Sequence, residues 1–344
     1  MITPQTNINL AALAEKMKHV DSFALCGHVS PDGDCIGSQL ALAHALRAMG
    51  KEVVCLLAKP DPIEANLLFL PGAKDMVCAA DFVDTPQAFV ALDVPSRERL
   101  GLGAAVQARC PLTITIDHHA NENAMSQFSY VDPASPSTTM LVWELVHHLD
   151  VALTPEVATC AYTGLVTDTG RFQFQNTTQN AFIAASEMVA AGADPSDVSR
   201  EIFQNRSFAS VMLLRRAMDH VAFDRESGFI FSYLTQDDFR ECEAVKSDAE
   251  PLIDELRSLE GVRVASILRD QGSEVRGSLR AKDNTDVAAI AARFGGGGHK
   301  AAAGFTFAGP LPEAISALKA AVVDSMVDSN TAVAVSNTSK SLKR

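Results

Sequence analysis

The sequence predicts an α/β protein with a mostly parallel N-terminal sheet covered by helices on both faces, followed by a smaller C-terminal α/β domain. The first half alternates short β-rich runs with Ala- and Leu-rich helical runs, which is typical of a parallel sheet with crossover helices. Beyond residue 222 the spacing of the strand-like runs changes, which indicates a second fold. A length of 344 residues corresponds to two domains at about 100–200 residues each.

Four apolar runs in the first half have the length and composition of strands. They are Phe23–Cys26, Glu52–Leu57, Ala88–Leu92 and Leu112–Ile116. The spacing of apolar residues and the signals at helix ends predict four helices, namely Ser38–Met49, Thr138–Leu149, Pro155–Leu165 and Thr178–Ala191. Gly50 and Gly192 end two of these helices, whereas Thr154 and Pro155 form a cap and a first helical residue.

The second half begins with two more predicted helices, one opened by Asp194-Pro195-Ser196 and one over Phe208–Met218. The strands predicted after them are Phe229–Leu234, Val262–Leu268, Glu274–Ala281 and Gly304–Phe307, and the helices are Asp286–Arg293 and Pro312–Met326. We therefore expect a first domain over residues 1–192, a helical linker over 193–221 and a second domain over 222–326. Residues 327–344 are rich in Ser, Asn and Thr, which predicts a flexible tail.

Composition narrows the function classes. Lys and Arg number 29 against 42 Asp and Glu, so the net charge is −13 and a broad basic surface for long duplex nucleic acid is not expected. Seven cysteines without a C-x-x-C pair indicate free thiols in a reducing cytoplasm. No apolar run reaches the ~18–20 residues of a membrane helix, and the N-terminus lacks a secretory signal. We therefore expect a cytoplasmic protein that does not interact with membranes.

Acidic residues and histidines follow three of the predicted parallel strands. In an open parallel sheet the loops at the carboxyl ends of strands converge on one ligand-binding crevice. The residues that should share this edge are His28, Asp32, Asp34, Asp93, Asp117, His118 and His119. Each of them also has an ordinary structural explanation when taken alone, since Asp34, for example, is a typical helix cap. Agreement among three strand ends favours a common site.

The residue types at this edge predict a metal centre. Packed carboxylates repel one another and raise one another's pKa, and a bound cation removes that cost. Mixed carboxylate and imidazole ligation without thiolate suits Mn²⁺, Mg²⁺ or Fe²⁺ better than structural zinc. The number of acidic groups favours two ions, ~3.5–4 Å apart and bridged by a carboxylate. A fourth segment, Thr163–Phe172, places Asp168 at the end of a helix beside Gly170, which alone is a weak signal.

These motifs resemble the four motifs of the DHH phosphoesterases in order and spacing. They are His28-x-x-Pro31-Asp32-Gly33-Asp34-x-x-Gly37-Ser38, Asp93, Asp117-His118-His119 and Thr163-Gly-Leu-x-x-Asp168-Thr-Gly170. Gly295-Gly-Gly-Gly-His299, followed by Ala301–Phe305, resembles the DHH-associated C-terminal domain of one branch, that of nanoRNases and phosphoadenosine-phosphate phosphatases. Two positions depart from the usual pattern, since Ser30 stands for an Asn and Cys35 for an Ala.

The resemblance implies a set of roles for these residues. His28, Asp32 and Asp93 would hold one Mn²⁺, and Asp34, Asp93, His118 and Asp168 the other, with Asp93 bridging. Mg²⁺ or another divalent ion is an alternative to Mn²⁺. Asp117 would support a ligand, and His119 would face the scissile phosphate. Ser38 would open a helix whose N-terminal N–H groups help to hold an anion.

The second domain has its own candidate substrate contacts. Glycines without side chains allow close approach of a base or phosphate and expose backbone N–H groups, which favours a loop over Gly296, Gly297 and Gly298 as an anion nest. Arg280 ends a strand and has the fork geometry for a phosphate, although a solvated surface arginine is an equally ordinary explanation. The resemblance adds Arg280 and His299 as contacts for a nucleotide or terminal phosphate.

We therefore expect two-metal hydrolysis of phosphoesters in very short substrates. The partners expected are single-stranded oligoribonucleotides, dinucleotides such as pApA or pGpG, and 3'-phosphoadenosine 5'-phosphate. The sequence leaves three alternatives open, namely a cyclic-dinucleotide phosphodiesterase, a pyrophosphatase and a non-hydrolytic nucleotide-binding regulatory protein. It also leaves open whether the chain forms a homodimer.

Overall fold

The computed structural model describes residues 5–120 and 124–325, so the predicted tail lies outside the described residues. The chain divides into two compact units, Met1–Asn205 and Arg206–Arg344. The segment predicted as a linker contributes to both units. Val198 belongs to the core of the first unit, whereas Leu213 and Ala217 belong to a core of the second.

The first unit contains a six-stranded sheet in which every strand pair is parallel, in the order β3-β2-β1-β4-β5-β6. Its strands are β1 (Ser22–Cys26), β2 (Glu52–Leu57), β3 (Val77–Cys78), β4 (Ala88–Leu92), β5 (Leu112–Asp117) and β6 (Phe128–Val131). This confirms the predicted parallel sheet and its four central strands. The two outermost strands were not predicted, because both are short and their pairing depends on the neighbouring strand.

Helices cover both faces of this sheet, as predicted. They are α1 (Leu10–Lys18), α2 (Gly33–Ala48), α3 (Gly103–Arg109), α4 (Thr138–His148), α5 (Pro155–Asp168), α6 (Gln179–Ala190) and α7 (Pro195–Ser199). Side chains alternate along a strand, so Phe23 and Leu25 of β1 enter one core, while Ala24 and Cys26 enter another. The larger core contains residues of α1, α2, α4, α5 and α6, and the smaller one contains Val106 of α3.

Helix α2 begins five residues earlier than predicted, at Gly33. Its cap is Asp32, whose Oδ1 accepts hydrogen bonds from the backbone N–H groups of Asp34 (3.1 Å) and Cys35 (3.0 Å). Ser38 therefore does not open a helix. It is fully buried in the second turn and donates its hydroxyl to the carbonyl of Cys35 (3.1 Å), so the predicted helix start at Ser38 is wrong, and the anion contact there stays a prediction.

The second unit contains a mixed six-stranded sheet in the order β11-β12-β10-β9-β8-β7. Its strands are β7 (Ala222–Asp224), β8 (Phe229–Leu234), β9 (Val264–Asp270), β10 (Glu274–Ala281), β11 (Gly297–His299) and β12 (Ala302–Ala308). Its helices are α8 (Phe208–Asp219), α9 (Gln236–Glu241), α10 (Leu252–Ser258), α11 (Val287–Ala292) and α12 (311–325). A smaller α/β unit is thus confirmed.

The glycine run of the second unit differs from the predicted loop. Gly297 and Gly298 pair antiparallel with Gly304 and Ala303 of β12, so half of the run is strand β11. Gly296 instead donates its N–H to the carbonyl of Ala291 from the turn that follows α11 (3.0 Å). Composition predicted a loop because glycine is rare in strands, but the pairing is imposed by β12. Across the described ranges, no helix is both long and apolar enough to cross a membrane.

Candidate metal centre

The carboxyl ends of β1, β4 and β5 bring the predicted acidic residues and histidines together. Asp93, directly after β4, is almost fully buried and lies at the middle of the cluster. Its Oδ2 is 3.4 Å from Nε2 of His28. Its Oδ1 is 3.5 Å from Nε2 of His118 and 3.4 Å from Nδ1 of His119. The two oxygens of one carboxylate therefore face different histidines, which is the geometry that a bridging ligand requires.

The backbone of Asp93 is held in an unusual conformation. Its φ is +60°, a region that a non-glycine residue occupies at a cost of about 1–3 kcal/mol, and such residues cluster at functional sites. Its N–H still donates to the carbonyl of Ile116 (3.1 Å), so the turn stays joined to β5. The hydroxyl of Thr138 donates to Asp93 Oδ1 (3.1 Å) and fixes the carboxylate.

Asp34 is fully buried at the N-terminus of α4. Its two oxygens accept hydrogen bonds from the backbone N–H groups of Thr138 (2.7 Å) and Thr139 (2.8 Å). The first N–H groups of a helix have no partner within the helix, so a carboxylate there satisfies them and interacts favourably with the helix dipole. Neither threonine was predicted from the sequence, because the groups that bind are backbone N–H groups, which leave no signal in residue type.

His118 joins Asp34 to the last predicted ligand, Asp168 at the end of α5. Its Nε2 is 3.8 Å from Asp34 and 3.3 Å from Asp168. Nδ1 of the same ring is 3.3 Å from the carbonyl of Ser135, an acceptor that assigns the ring proton to Nδ1. Nε2 then presents its lone pair to the carboxylate side, as a metal-binding imidazole requires.

Two further pairs complete the edge. Asp117 Oδ1 is 2.7 Å from Nδ1 of His119 and also accepts the backbone N–H of that residue (3.1 Å). Asp32 is half-exposed, and its Oδ2 is 3.9 Å from Nε2 of His28, while its Oδ1 caps α2. The structure thus brings together every metal ligand predicted from the sequence. Asp117 contacts Nδ1 of His119.

The electrostatics of the cluster are those of crowded, buried charges. Burial and the charge of Asp93 raise the pKa of Asp34 from 3.8 to about 7. Burial and the charge of Asp34 raise the pKa of Asp168 well above its ordinary value. For Asp93 burial acts in the same direction, but the hydrogen bond to His28 and the charges of His119 and His118 outweigh it, so the pKa of Asp93 is lowered.

The donor set fits divalent metal ions. Three groups of side chains have ligand atoms that all lie within 4.8 Å of one another: His28, Cys35 and Asp93; Asp93, His118 and His119; and Asp34, His118 and Asp168. Asp93 belongs to two groups and His118 to two, so the groups are contiguous. Carboxylates that resist ionisation next to one another are stabilised when a cation binds between them.

The helices around Asp34 approach closely because two glycines leave room. A Cβ at Gly37 would lie 2.5 Å from the carbonyl oxygen of Cys160 in α5. A Cβ at Gly164 would lie 2.3 Å from Thr139 and 2.9 Å from Asp34 Oδ1. The close packing of α2, α4 and α5 brings Asp34 next to the N–H groups of Thr138 and Thr139. It also places Asp168, at the end of α5, near Asp34.

The predicted contacts of the second domain lie within the second unit. Arg280, in β10, is half-buried and donates to the carbonyl of Leu279 (3.1 Å). The backbone of His299 is in β11, but its side chain lies outside the described part of the chain. Arg269 of β9 is buried and paired with Glu250 and Ser278.

A parallel sheet that carries clustered carboxylates and histidines, followed by a mixed-sheet unit, is the arrangement expected of a two-domain metal-dependent hydrolase. Residues 22–165 match the model of the DHH family, N-terminal domain, and residues 228–327 match the DHHA1 domain. The chain belongs to the DHH family, and it is a phosphoester hydrolase with a C-terminal DHHA1 domain.

The chain is similar over most of its length to curated and solved proteins. The bifunctional oligoribonuclease and PAP phosphatase NrnA of Thermus thermophilus is 32% identical, over 86% of this chain and 88% of that protein. The protein of the same name from Bacillus subtilis is 25% identical, over 83% and 88%. The crystal structure of an exopolyphosphatase-related protein from Bacteroides fragilis superposes with a TM-score of 0.86 at 26% identity, covering 92% of this chain and 96% of that one.

Proposed function

We propose that this protein hydrolyses very short oligoribonucleotides, including dinucleotides such as pApA and pGpG, to mononucleotides, and 3'-phosphoadenosine 5'-phosphate to AMP. The observation that carries the proposal is the position of Asp93, whose two oxygens face His28 on one side and His118 and His119 on the other. The similarity to the two NrnA proteins supports the substrate class.

The residues divide into two ligand sets that share Asp93. His28, Asp32 and Asp93 would hold one divalent ion, and Asp34, Asp93, His118 and Asp168 the other. Mn²⁺ is the proposed ion, with Mg²⁺ as the alternative, since oxygen and imidazole donors suit both. Two such ions, when bound, supply an activated water and charge stabilisation for in-line displacement at phosphorus.

The remaining site residues act on the substrate. Asp117 holds Nδ1 of His119, so the ring is oriented and its Nε2 is the nitrogen proposed to face the scissile phosphate. A positively charged imidazole near the phosphoryl oxygens balances the charge that develops on them. Acidic neighbours favour that charged form, because Asp117 and Asp93 raise the pKa of His119 although burial opposes them.

The second unit is proposed to bind the end of the nucleotide that is not hydrolysed. The contacts proposed are Arg280, His299 and the backbone of Gly296, Gly297 and Gly298. Binding at one end makes the enzyme sensitive to substrate length. Tight binding of long RNA needs an extended row of basic residues. The net charge of −13 disfavours such binding, so we expect long RNA to bind weakly.

The test is a comparison of products from purified protein with Mn²⁺. The substrates are an end-labelled RNA dimer, an RNA of about 20–25 nucleotides, phosphoadenosine phosphate, cyclic di-AMP and pyrophosphate. They are incubated side by side, because a substrate that is held at its end is positioned best when it is short. We expect rapid release of mononucleotide from the dimer, slow cleavage of the long RNA and release of AMP.

Other outcomes would contradict the proposal in distinct ways. Turnover of pyrophosphate alone would assign a different substrate class to the same centre. Faster turnover of the cyclic dinucleotide than of the linear one would favour a cyclic-dinucleotide phosphodiesterase. Saturable nucleotide binding without turnover under Mn²⁺ or Mg²⁺ would favour a regulatory binding protein.

A further inference from the structure

We propose that Cys35 is a sulfur ligand for the metal position formed by His28 and Asp93, and that this position therefore prefers thiophilic divalent ions such as Co²⁺, Zn²⁺ and Cd²⁺. The inference rests on the metal centre of the proposed function. It adds a sulfur donor, Cys35, to ligand sets that otherwise contain only carboxylate oxygens and imidazole nitrogens.

The position of the sulfur is the first argument. Cys35 lies in the first turn of α2, is fully buried, and its Sγ lies within 4.8 Å of the ligand atoms of His28 and Asp93. Bonds of about 2.0–2.3 Å to one ion place its donors roughly 3.5–4 Å apart, so these three side chains would move slightly closer when a metal binds. Asp32, with Oδ2 3.9 Å from His28 Nε2, provides a fourth donor on the open side.

The hydrogen bonds to the sulfur are the second argument. Sγ of Cys35 accepts the backbone N–H of His28 (3.3 Å) and faces the side-chain amide Nε2 of Gln39 (3.7 Å). The orientation of that amide is set by the carbonyl of Cys35, which accepts from the same Nε2 (3.3 Å). These N–H groups favour the thiolate, but burial and the charges of Asp93 and Asp32 raise the pKa of Cys35, so the bound cation itself must displace the thiol proton.

Other buried cysteines of the first unit have the opposite arrangement. Cys26, Cys55 and Cys160 each direct their S–H toward a backbone carbonyl, at 3.6, 3.8 and 4.0 Å. Among the described residues, no acceptor is found for the Cys35 S–H. A buried thiol that only accepts hydrogen bonds fits a sulfur that loses its proton to solvent when the sulfur–metal bond forms.

The surroundings of the sulfur provide two independent observations. Gly27 leaves the space that the sulfur fills, since a Cβ there would lie 2.1 Å from Sγ and 2.8 Å from Gln39 Nε2. The amide oxygen of Gln39, in a side chain that is 1% exposed, has no hydrogen-bond partner among the described residues. A buried oxygen without a partner is costly, and it belongs to the side chain whose amide nitrogen faces the sulfur.

The experiment measures cobalt binding by the metal-free, full-length protein. Co²⁺ is added alone, and its binding is counted by equilibrium dialysis while the absorption spectrum is recorded. We expect a sulfur-to-cobalt charge-transfer band in the near ultraviolet, in addition to the visible bands of Co²⁺. Bound Co²⁺ without the charge-transfer band in the wild-type protein would overturn the proposal, whatever the variants do.

Two variants and a matched control locate the sulfur. Cys35→Ser keeps the size and the hydrogen-bond acceptor but removes the sulfur, and Cys160→Ser changes another fully buried cysteine of the same unit. We expect the band to vanish only in Cys35→Ser, and Cd²⁺ affinity to fall about 10–100-fold there while Mn²⁺ affinity falls much less. Loss of the band in both variants, or equal loss of Cd²⁺ and Mn²⁺ affinity in Cys35→Ser, would contradict sulfur ligation.

The same preparation separates this inference from the proposed function. Hydrolysis of the RNA dimer with Mn²⁺, together with bound Co²⁺ that shows no sulfur band, would remove Cys35 as a ligand and leave the proposed function intact. Failure to bind any of Co²⁺, Cd²⁺ and Mn²⁺ would remove the metal centre itself, and both proposals with it.

Discussion

At the scale of single residues, Asp93 combines a left-handed backbone with contacts to three histidines. A φ of +60° is tolerated best by Gly, Asn and Asp, and only Asp among these supplies a charged carboxylate. His28, His118 and His119 each lie within 3.5 Å of its oxygens. The position of Asp93 therefore requires both a residue that tolerates positive φ and a charged carboxylate. A variant can remove the charge and keep the tolerance for positive φ.

Asp93→Asn keeps the side-chain shape and the tolerance for positive φ but removes the charge. We expect kcat on the RNA dimer to fall by at least about 10²–10³-fold, the loss typical when one key electrostatic group of a hydrolase is removed. The measurement is kcat at saturating Mn²⁺, with thermal unfolding as the test of folding.

Asp150→Asn is the matched control for this variant. Asp150 also has a left-handed backbone, with φ of +57°, but is exposed and bonded to Lys18. We expect its kcat to equal that of the wild type. A wild-type kcat in Asp93→Asn would remove the bridging role.

Asp34 predicts how the metal-free protein responds to pH. Its pKa is raised from 3.8 to about 7 in the folded state, so between these values the folded protein holds a proton that the unfolded chain releases. The free energy of unfolding therefore decreases as pH rises from about 4 to about 7. His118 and His119 act with the same sign, because their raised pKa gives a stabilisation that is lost as pH rises.

The measurement is thermal unfolding of chelator-treated protein between pH 5 and pH 8. We expect Tm to decline across this range and to decline less in Asp34→Asn, which cannot release a proton. Saturating Mn²⁺ should remove most of the decline in the wild-type protein. A Tm of the metal-free protein that is constant or rises with pH would contradict the raised pKa of Asp34.

At the scale of elements, the packing of α2 on α5 explains how distant segments form one centre. Gly164→Ala would place a Cβ 2.3 Å from Thr139 and 2.9 Å from Asp34 Oδ1. Overpacking of a tight contact costs about 1–3 kcal/mol, which exceeds the roughly 1 kcal/mol gained when Ala replaces Gly in a helix. We therefore expect both a lower Tm and a lower affinity for Mn²⁺.

Gly103→Ala separates these two effects. A Cβ at Gly103 would lie 2.6 Å from Cys26 Sγ in the smaller core, on the face of the sheet away from α2. We expect a lower Tm but an unchanged Mn²⁺ affinity, measured by titration calorimetry. A Gly164→Ala variant that lost stability without losing Mn²⁺ affinity would show that the helix contact does not position Asp34.

The elements also show which features the sequence determines locally. Thr154 caps α5 where it was predicted to, because a cap depends on residues within one turn. The start of α2 was missed because a helix buried almost all round lacks the apolar periodicity that marks an amphipathic one. Strand β11 was missed because its pairing is set by β12, not by its own glycines.

The clustering of the candidate metal ligands was predicted more completely than the helices and strands around them. His28, Asp32, Asp34, Asp93, His118 and Asp168 come together because they follow parallel strands or end a helix, which sequence order reveals. The Thr138 and Thr139 N–H groups on Asp34 could not be predicted, since any residue type supplies them. The sulfur of Cys35 could not be placed either, because its orientation depends on the space left by Gly27.

At the scale of the whole molecule, the chain joins a unit that contains the cluster of carboxylates and histidines to a second unit that contains Arg280. The net charge of −13 disfavours a polyanion that lacks a specific contact. Specific contacts must then supply the affinity for a short substrate, and Arg280 of β10 is the residue proposed for this role. Arg280 is half-buried, which limits the freedom of the side chain and favours a directed contact.

Arg280→Ala tests whether Arg280 supplies affinity for the short substrate. A hydrogen bond to a charged group contributes about 1.5–3 kcal/mol, so we expect KM for the RNA dimer to rise roughly 10–100-fold. We expect kcat to stay within about twofold, because loss of a contact made equally in ground and transition states affects KM alone.

Arg276→Ala is the matched control for the arginine, because side chains alternate along a strand and residues 276 and 280 lie on the same face of β10. Arg276 is exposed, and its loss removes the same charge from the same strand. We expect neither KM nor kcat to change there. Equal increases of KM in both variants would assign the effect to general charge, whereas an unchanged KM in Arg280→Ala would remove the contact. Since the charge change is identical, only a difference between the two variants can come from the position of the guanidinium.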